Sequence, residues 1–178
     1  MIYQLTEFLS DDDFDLMLRE VDKFLYDEDR PGWKFNGHSK DEDRDKPFWY
    51  CPVNSDYYFS DVLWKGVQKT IKDISGDDVE MDTVYLNGAT FGQQGYWHMD
   101  DQSDDSSRTF LIYANKTWDP EWSGATVFKH PDTGQIETIY PSPKQAVYFH
   151  GMIPHFSQSL TRDFYGIRVT VAYKMYLK

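Results

Sequence analysis

The sequence predicts a mainly β domain: two N-terminal helices packed on a β-sandwich or jelly roll. Three observations predict it. Apolar residues recur at helical spacing in two early segments. From about residue 79 the pattern changes to short runs rich in β-branched and aromatic residues, and clusters of Gly, Pro, Asn and Asp separate these runs. Two helices followed by about six strands fit helices supporting a sandwich or jelly roll.

Residues 1–9 read as a short strand or lead-in, with Ile2, Leu5, Phe8 and Leu9 as its apolar positions. Ser10 reads as an N-cap, and Asp11, Asp12 and Asp13 fill the first turn, where the helix dipole favours negative charge. Phe14, Met17, Val21, Phe24 and Leu25 then share one face, which predicts a helix over about 11–26. Residues 27–57 are charged and interrupted by Gly and Pro, but hold Trp33, Phe35, Phe48, Trp49, Tyr50 and Tyr57. They read as an irregular surface segment pinned by aromatics, or as a lid over an active site. Ser60 opens a second helix to about Ser75, closed by Gly76. Strands follow at about 79–90, 108–115, 124–130, 135–140, 145–150 and 167–177. No repeat or linker divides the chain, so one domain over 1–178 is expected: a helical and lid support region, 1–78, and a β core, 79–178.

Composition narrows the function. The formal net charge is −12, much of it in runs such as Asp100-Asp101 and Asp104-Asp105. Such a surface repels phosphate backbones, so nucleic acid is a poor partner and a neutral or basic peptide a better one. No apolar run approaches membrane-spanning length, and the N-terminus lacks a signal pattern. The one cysteine, Cys51, allows no intrachain disulfide and reads as a packed thiol, so a reducing, cytoplasmic setting is expected.

His98-Met99-Asp100 places two ligand types two residues apart, so in an extended segment they point the same way. A third ligand must come from elsewhere among five histidines. His155 follows the apolar run Val147-Tyr148-Phe149, a Gly-containing turn and Pro154; His150 competes with it. His155 is preferred, because a strand beyond it would run back past the metal. His98, Asp100 and His155 have the make-up of a two-histidine, one-carboxylate facial triad, which holds Fe(II) and leaves positions open for O2 and a co-substrate. Zinc also takes such ligands.

Charge balance favours iron with 2-oxoglutarate. One end of that co-substrate chelates the ion, while its distal carboxylate needs a buried cation. Arg168 fits, since its planar fork meets both oxygens. It lies in Ile167-Arg168-Val169-Thr170-Val171-Ala172-Tyr173, where Val169, Val171 and Tyr173 share one face and Arg168, Thr170 and Ala172 the other. Tyr113 is an inward candidate at a strand end and a second donor, and Asn87 and Thr170 are further candidates for lining the same pocket. Arg162, seven residues past His155, is the alternative cation; strand pattern favours Arg168.

From about 79 to 176 the sequence resembles the 2-oxoglutarate- and Fe(II)-dependent dioxygenases, most of all the prolyl 4-hydroxylase branch. The residues that carry the resemblance are His98-Met99-Asp100, Arg108 to Trp118, Ser123-Gly124-Ala125-Thr126-Val127-Phe128, His155 and Arg168 to Tyr173. Many prolyl 4-hydroxylases have Lys where Arg168 stands; the oxygen-sensing ones have Arg. The resemblance implies a double-stranded β-helix (jelly roll, cupin-like) with supporting helices. It implies iron ligation by His98, Asp100 and His155, and binding of the distal carboxylate by Tyr113 and Arg168. The implied activity is hydroxylation of peptidyl proline, using O2 and 2-oxoglutarate and releasing succinate and CO2, with ascorbate a further candidate cofactor. Tyr96, Trp97 and the aromatic segment 48–59 are candidates for the substrate wall.

Three alternatives stand beside this reading: a hydroxylase of a free amino acid or other small molecule, a nucleic-acid demethylating dioxygenase, and a non-catalytic cupin-like binding module. The Arg162-x5-Arg168 spacing and Asn87 resemble the demethylating enzymes, but Ala89 stands where their tyrosine is expected and the acidic charge opposes phosphate. A complete triad together with Arg168 argues against a retired site.

Overall fold

The structure is a computed structural model that describes residues 1–26, 32–35 and 48–178. Two antiparallel sheets face each other as a double-stranded β-helix, and two helices cover the outer face of the larger one. The strands are β1 (Ile2–Leu5), β2 (Lys34–Phe35), β3 (Trp49–Pro52), β4 (Val79–Ala89), β5 (Ser107–Tyr113), β6 (Thr126–Lys129), β7 (Ile136–Ile139), β8 (Ala146–His150), β9 (His155–Ser157) and β10 (Arg168–Leu177). The large sheet has the order β1-β8-β5-β10-β4-β3-β2 and the small one β7-β6-β9.

The first helix, α1 (Asp11–Tyr26), starts where the sequence places it: the Ser10 hydroxyl accepts the Asp13 N–H at 3.2 Å and donates to its carboxylate at 2.6 Å. The second, α2 (Trp64–Ser75), ends at Gly76 in the left-handed conformation. Its start differs from expectation. A wider π-helical turn, Tyr58–Leu63, precedes it, and Ser60 sits inside that turn. Asp56 does the capping instead: its carboxylate accepts the Tyr58 N–H at 3.0 Å, and its carbonyl accepts the Ser60 hydroxyl at 2.7 Å. Of the segment 27–57, residues 27–31 and 36–47, on which most of the lid expectation falls, lie outside the described residues. Residues 49–52 are not irregular: they form β3, paired with β4, with Tyr50 and Cys51 buried. Four residues ending in Pro are too few to show a period.

Side-chain alternation splits the interior in two. Val84 and Leu86 of β4, Phe110 and Ile112 of β5, and Val169, Val171 and Tyr173 of β10 face the helices, where they pack with Phe14, Met17, Val21, Val67 and Ile71. The Tyr173 hydroxyl donates to the Phe59 carbonyl at 2.8 Å and ties the sheet to the helical layer. The other face of the large sheet turns toward the small sheet, where Tyr113, Phe128, Ile139, Val147, Phe149 and Ile153 form a second, smaller core. The remaining space between the sheets is a cavity of about 650 Å³.

Candidate functional site

Register decides what lines that cavity. β10 lies between β5 and β4, with Thr170 opposite both Tyr113 and Asn87, Ala172 opposite Leu111 and Tyr85, and Lys174 opposite Thr109 and Thr83. The three candidates Asn87, Thr170 and Tyr113 are therefore cross-strand neighbours in one row. Arg168, Thr170, Ala172 and Lys174 all line the cavity, as the alternation of their strand requires.

His98, Asp100 and His155 meet at the cavity wall, with one ligand atom from each all within 4.8 Å of one another. Backbone pairing brings them together. The His98 N–H donates to the His155 carbonyl at 3.0 Å, and the His155 N–H donates back at 2.9 Å. The Asp100 N–H donates to the Gly151 carbonyl at 2.8 Å. The ring nitrogens are oriented as well: Nδ1 of His98 lies 2.8 Å from the Tyr96 carbonyl, and Nδ1 of His155 lies 2.9 Å from the Ile153 carbonyl. A carbonyl only accepts, so each Nδ1 carries the proton and each Nε2 presents its lone pair. Both Nε2 atoms lie 3.7 Å from Asp100 Oδ1. Burial, against the pull of Asp100, pushes His155 down to about 4, so its imidazole is neutral at ordinary pH, as a metal ligand must be. For Asp100, burial alone favours the neutral acid, but the Lys174 ammonium, then His155 and His98, hold it well below the usual carboxylate range. His150, the competing histidine, points elsewhere, with Nε2 3.0 Å from Asp105.

At another part of the wall Arg168 is 4 % exposed. Its Nη2 donates to the Thr126 hydroxyl at 3.1 Å, its Nε has no hydrogen-bond partner, and among the described residues no carboxylate pairs with it. Burial disfavours its charge, which a guanidinium nevertheless keeps, and an anion would offset that cost. The Tyr113 hydroxyl also donates to Thr126, at 2.8 Å, and the guanidinium carbon sits 5.5 Å from the Tyr113 ring centroid. Thr126 Oγ1 thus accepts two hydrogen bonds, which leaves its own proton to donate. Tyr113 stands behind this pair: it is wholly buried and reaches the site through Thr126. Room for the Arg168 stem depends on Gly124 at φ +73°, where a Cβ would lie 3.3 Å from Arg168 Cδ and 2.6 Å from Leu160. Arg162 is exposed on the loop before β10, away from the cavity.

Two residues here escaped the sequence reading. Thr126 lies in a strand buried on both faces, where no alternation marks it out. Lys174 was within reach, because it continues the row Arg168, Thr170, Ala172. It pairs with Asp100, and its Nζ lies 3.3 Å from Thr109 Oγ1. Of the candidates for the substrate wall, Tyr96, Phe48 and Tyr50 line the cavity, whereas exposed Trp97 does not and packs edge-on against Phe156.

The sequence matches no protein-family model and no curated protein. Solved structures do match. A Pseudomonas putida prolyl-4-hydroxylase aligns over 99 % of this chain and 92 % of its own, with a TM-score of 0.70 and 17 % identity. A Trichoplax adhaerens prolyl hydroxylase, in complex with a peptide from the oxygen degradation domain of hypoxia inducible factor, aligns over 98 % and 83 %, with a TM-score of 0.77 and 14 % identity. HygX from Streptomyces hygroscopicus, with nickel, 2-oxoglutarate and hygromycin B bound, aligns over 98 % and 82 %, with a TM-score of 0.70 and 10 % identity. At these identities the shared property is the fold, which is that of prolyl hydroxylases and other 2-oxoglutarate- and Fe(II)-dependent oxygenases.

Proposed function

We propose that this chain is a 2-oxoglutarate- and O2-dependent Fe(II) oxygenase that hydroxylates peptidyl proline. One observation carries the reading: a buried arginine with no carboxylate partner among the described residues shares a cavity with a His-Asp-His cluster. An unpaired buried cation beside a metal-type ligand set fits a co-substrate with one chelating end and one distal anion.

On this reading His98 Nε2, His155 Nε2 and Asp100 Oδ1 hold the metal on one side. The bound iron supplies the activation of O2. Arg168 and the Thr126 hydroxyl receive the distal carboxylate, and Tyr113 braces both. Asn87 and Thr170, in the same row, flank the co-substrate. The apolar second core beneath keeps water from the reacting centre. Tyr96, with Phe48 and Tyr50 on the same cavity wall, offers aromatic faces on which a proline ring can pack. The peptide bound to the Trichoplax neighbour supports a peptidyl substrate. The same reading keeps the protein in a reducing cytoplasmic setting, where its one cysteine stays a thiol.

A second reading, oxidation of a free small molecule, is favoured by one finding: the HygX neighbour has hygromycin B bound on the same fold. The deciding experiment measures succinate formed from 2-oxoglutarate with Fe(II), with a proline-rich peptide, free proline or neither. Turnover stimulated by peptide is expected. Stimulation by free proline alone would sink the peptidyl assignment, and no turnover under any condition together with undiminished metal binding by H98A would sink the oxygenase.

A further inference from the structure

The two oxygens of Asp100 have different neighbours. Oδ1 faces the two histidines, 3.7 Å from each Nε2. Oδ2 accepts the Thr109 hydroxyl at 2.6 Å and is paired with Lys174. The pair is built by register: Lys174 of β10 lies directly opposite Thr109 of β5, and its ammonium also reaches the Thr109 oxygen. Tyr85 is a further hydrogen-bond partner of Lys174, and no hydrogen bond or ion pair joins the lysine to Arg168 or to either histidine.

Resting on the metal site proposed above, we propose that Lys174 is a positioning residue that, together with Thr109, holds Asp100 as a one-oxygen ligand. Coordination arithmetic gives the clamp its purpose. An octahedral ion has about six positions. The histidines fill two, one carboxylate oxygen a third, a chelating 2-oxo acid two more, and O2 the last. If Asp100 supplied both oxygens, either the chelate or O2 would lose its place. An oxygen already held by a hydroxyl and by an ammonium has its lone pairs engaged, so it does not swing to the metal. The arrangement is set before any ion arrives, because β5 and β10 fix both donors.

Cobalt(II) and 2-oxoglutarate test this without turnover. Wild type, K174R and K174M are titrated with Co(II), read by calorimetry and by the visible d–d bands, and then with 2-oxoglutarate. Wild type should bind both. K174M should bind Co(II) with altered d–d bands and take up 2-oxoglutarate about tenfold more weakly, and K174R should recover most of that loss. A K174M protein with wild-type bands and wild-type 2-oxoglutarate affinity overturns the clamp. So does one that loses Co(II) altogether, since the lysine would then be needed for ligation as such. If K174M lacks the native circular dichroism spectrum, T109V removes the other Oδ2 donor, and unchanged 2-oxoglutarate affinity in it is equally decisive. Failure of wild type to bind Co(II), or undiminished binding by H98A, overturns the metal site itself and is thereby distinguished from failure of the clamp.

Discussion

Arg168 of the large sheet donates from Nη2 to the hydroxyl of Thr126 in the small sheet, at 3.1 Å, with both side chains buried. This contact crosses the interior and aims two donors into one cavity. R168A should weaken 2-oxoglutarate binding by about 2–5 kcal/mol, because the anion loses its buried partner. T126V should weaken it by about 1–3 kcal/mol, since the distal carboxylate loses the Thr126 hydroxyl as a donor. R162A, on the exposed loop, should change nothing. Calorimetric titration of the metal-loaded protein checks all three.

The ligand assignment separates two histidines five residues apart in sequence. H155A and H98A should each abolish stoichiometric Co(II) binding, whereas H150A, whose ring meets Asp105, should retain it. Retention by H155A with loss in H150A would reverse the assignment.

Gly151 links the site to β5. Its N–H donates to the Ser107 carbonyl at 2.9 Å, and its own carbonyl accepts the Asp100 N–H at 2.8 Å. A Cβ there would stand 2.2 Å from Ser107 Oγ. G151A should lower stability by about 1–3 kcal/mol through this clash and weaken metal binding by shifting Asp100. S107G removes the clashing atoms, so the G151A/S107G double variant should be more stable than additivity predicts in a thermal-melt cycle.

Cys51 lies against the helical core, and burial pushes its thiol up to about 11 from an ordinary 9.0. The folded state therefore holds this proton more tightly than the unfolded state. Its contribution to stability is whole below pH 9.0 and declines as pH rises from there toward 11. Alkylation by iodoacetamide at pH 8 should be slow in the native protein, faster at higher pH and prompt in denaturant, followed by mass spectrometry. Prompt native labelling at pH 8 would contradict the burial of this thiol.

The legible parts of the sequence were those with a period. Val169, Val171 and Tyr173 alternate with Arg168, Thr170 and Ala172, and this alternation separated core from cavity correctly. The helix over 11–26 was legible because its cap and its apolar face agree. Lys174 went unread for lack of a reason to extend the row: its partners Asp100 and Thr109 are far away in sequence, and only strand register joins them. Thr126 hid in a strand without alternation. The strand at His155–Ser157 is three residues long, which is shorter than any pattern can reveal. The π-helical turn at Tyr58–Leu63 broke the capping rule, because Asp56 caps from outside the segment that Ser60 marked.

The reciprocal backbone bonds between His98 and His155 have a thermodynamic consequence. The two imidazoles are cross-strand partners, so their separation is a property of the peptide ladder and not of the ion. An incoming cation does not have to bring these two imidazoles together as it binds. Its capture should therefore have a heat-capacity change near zero, with the signature of ligand dehydration and proton release rather than of coupled folding. The ladder works as a template, and the binding energy that another protein would use to assemble its ligands stays available for affinity.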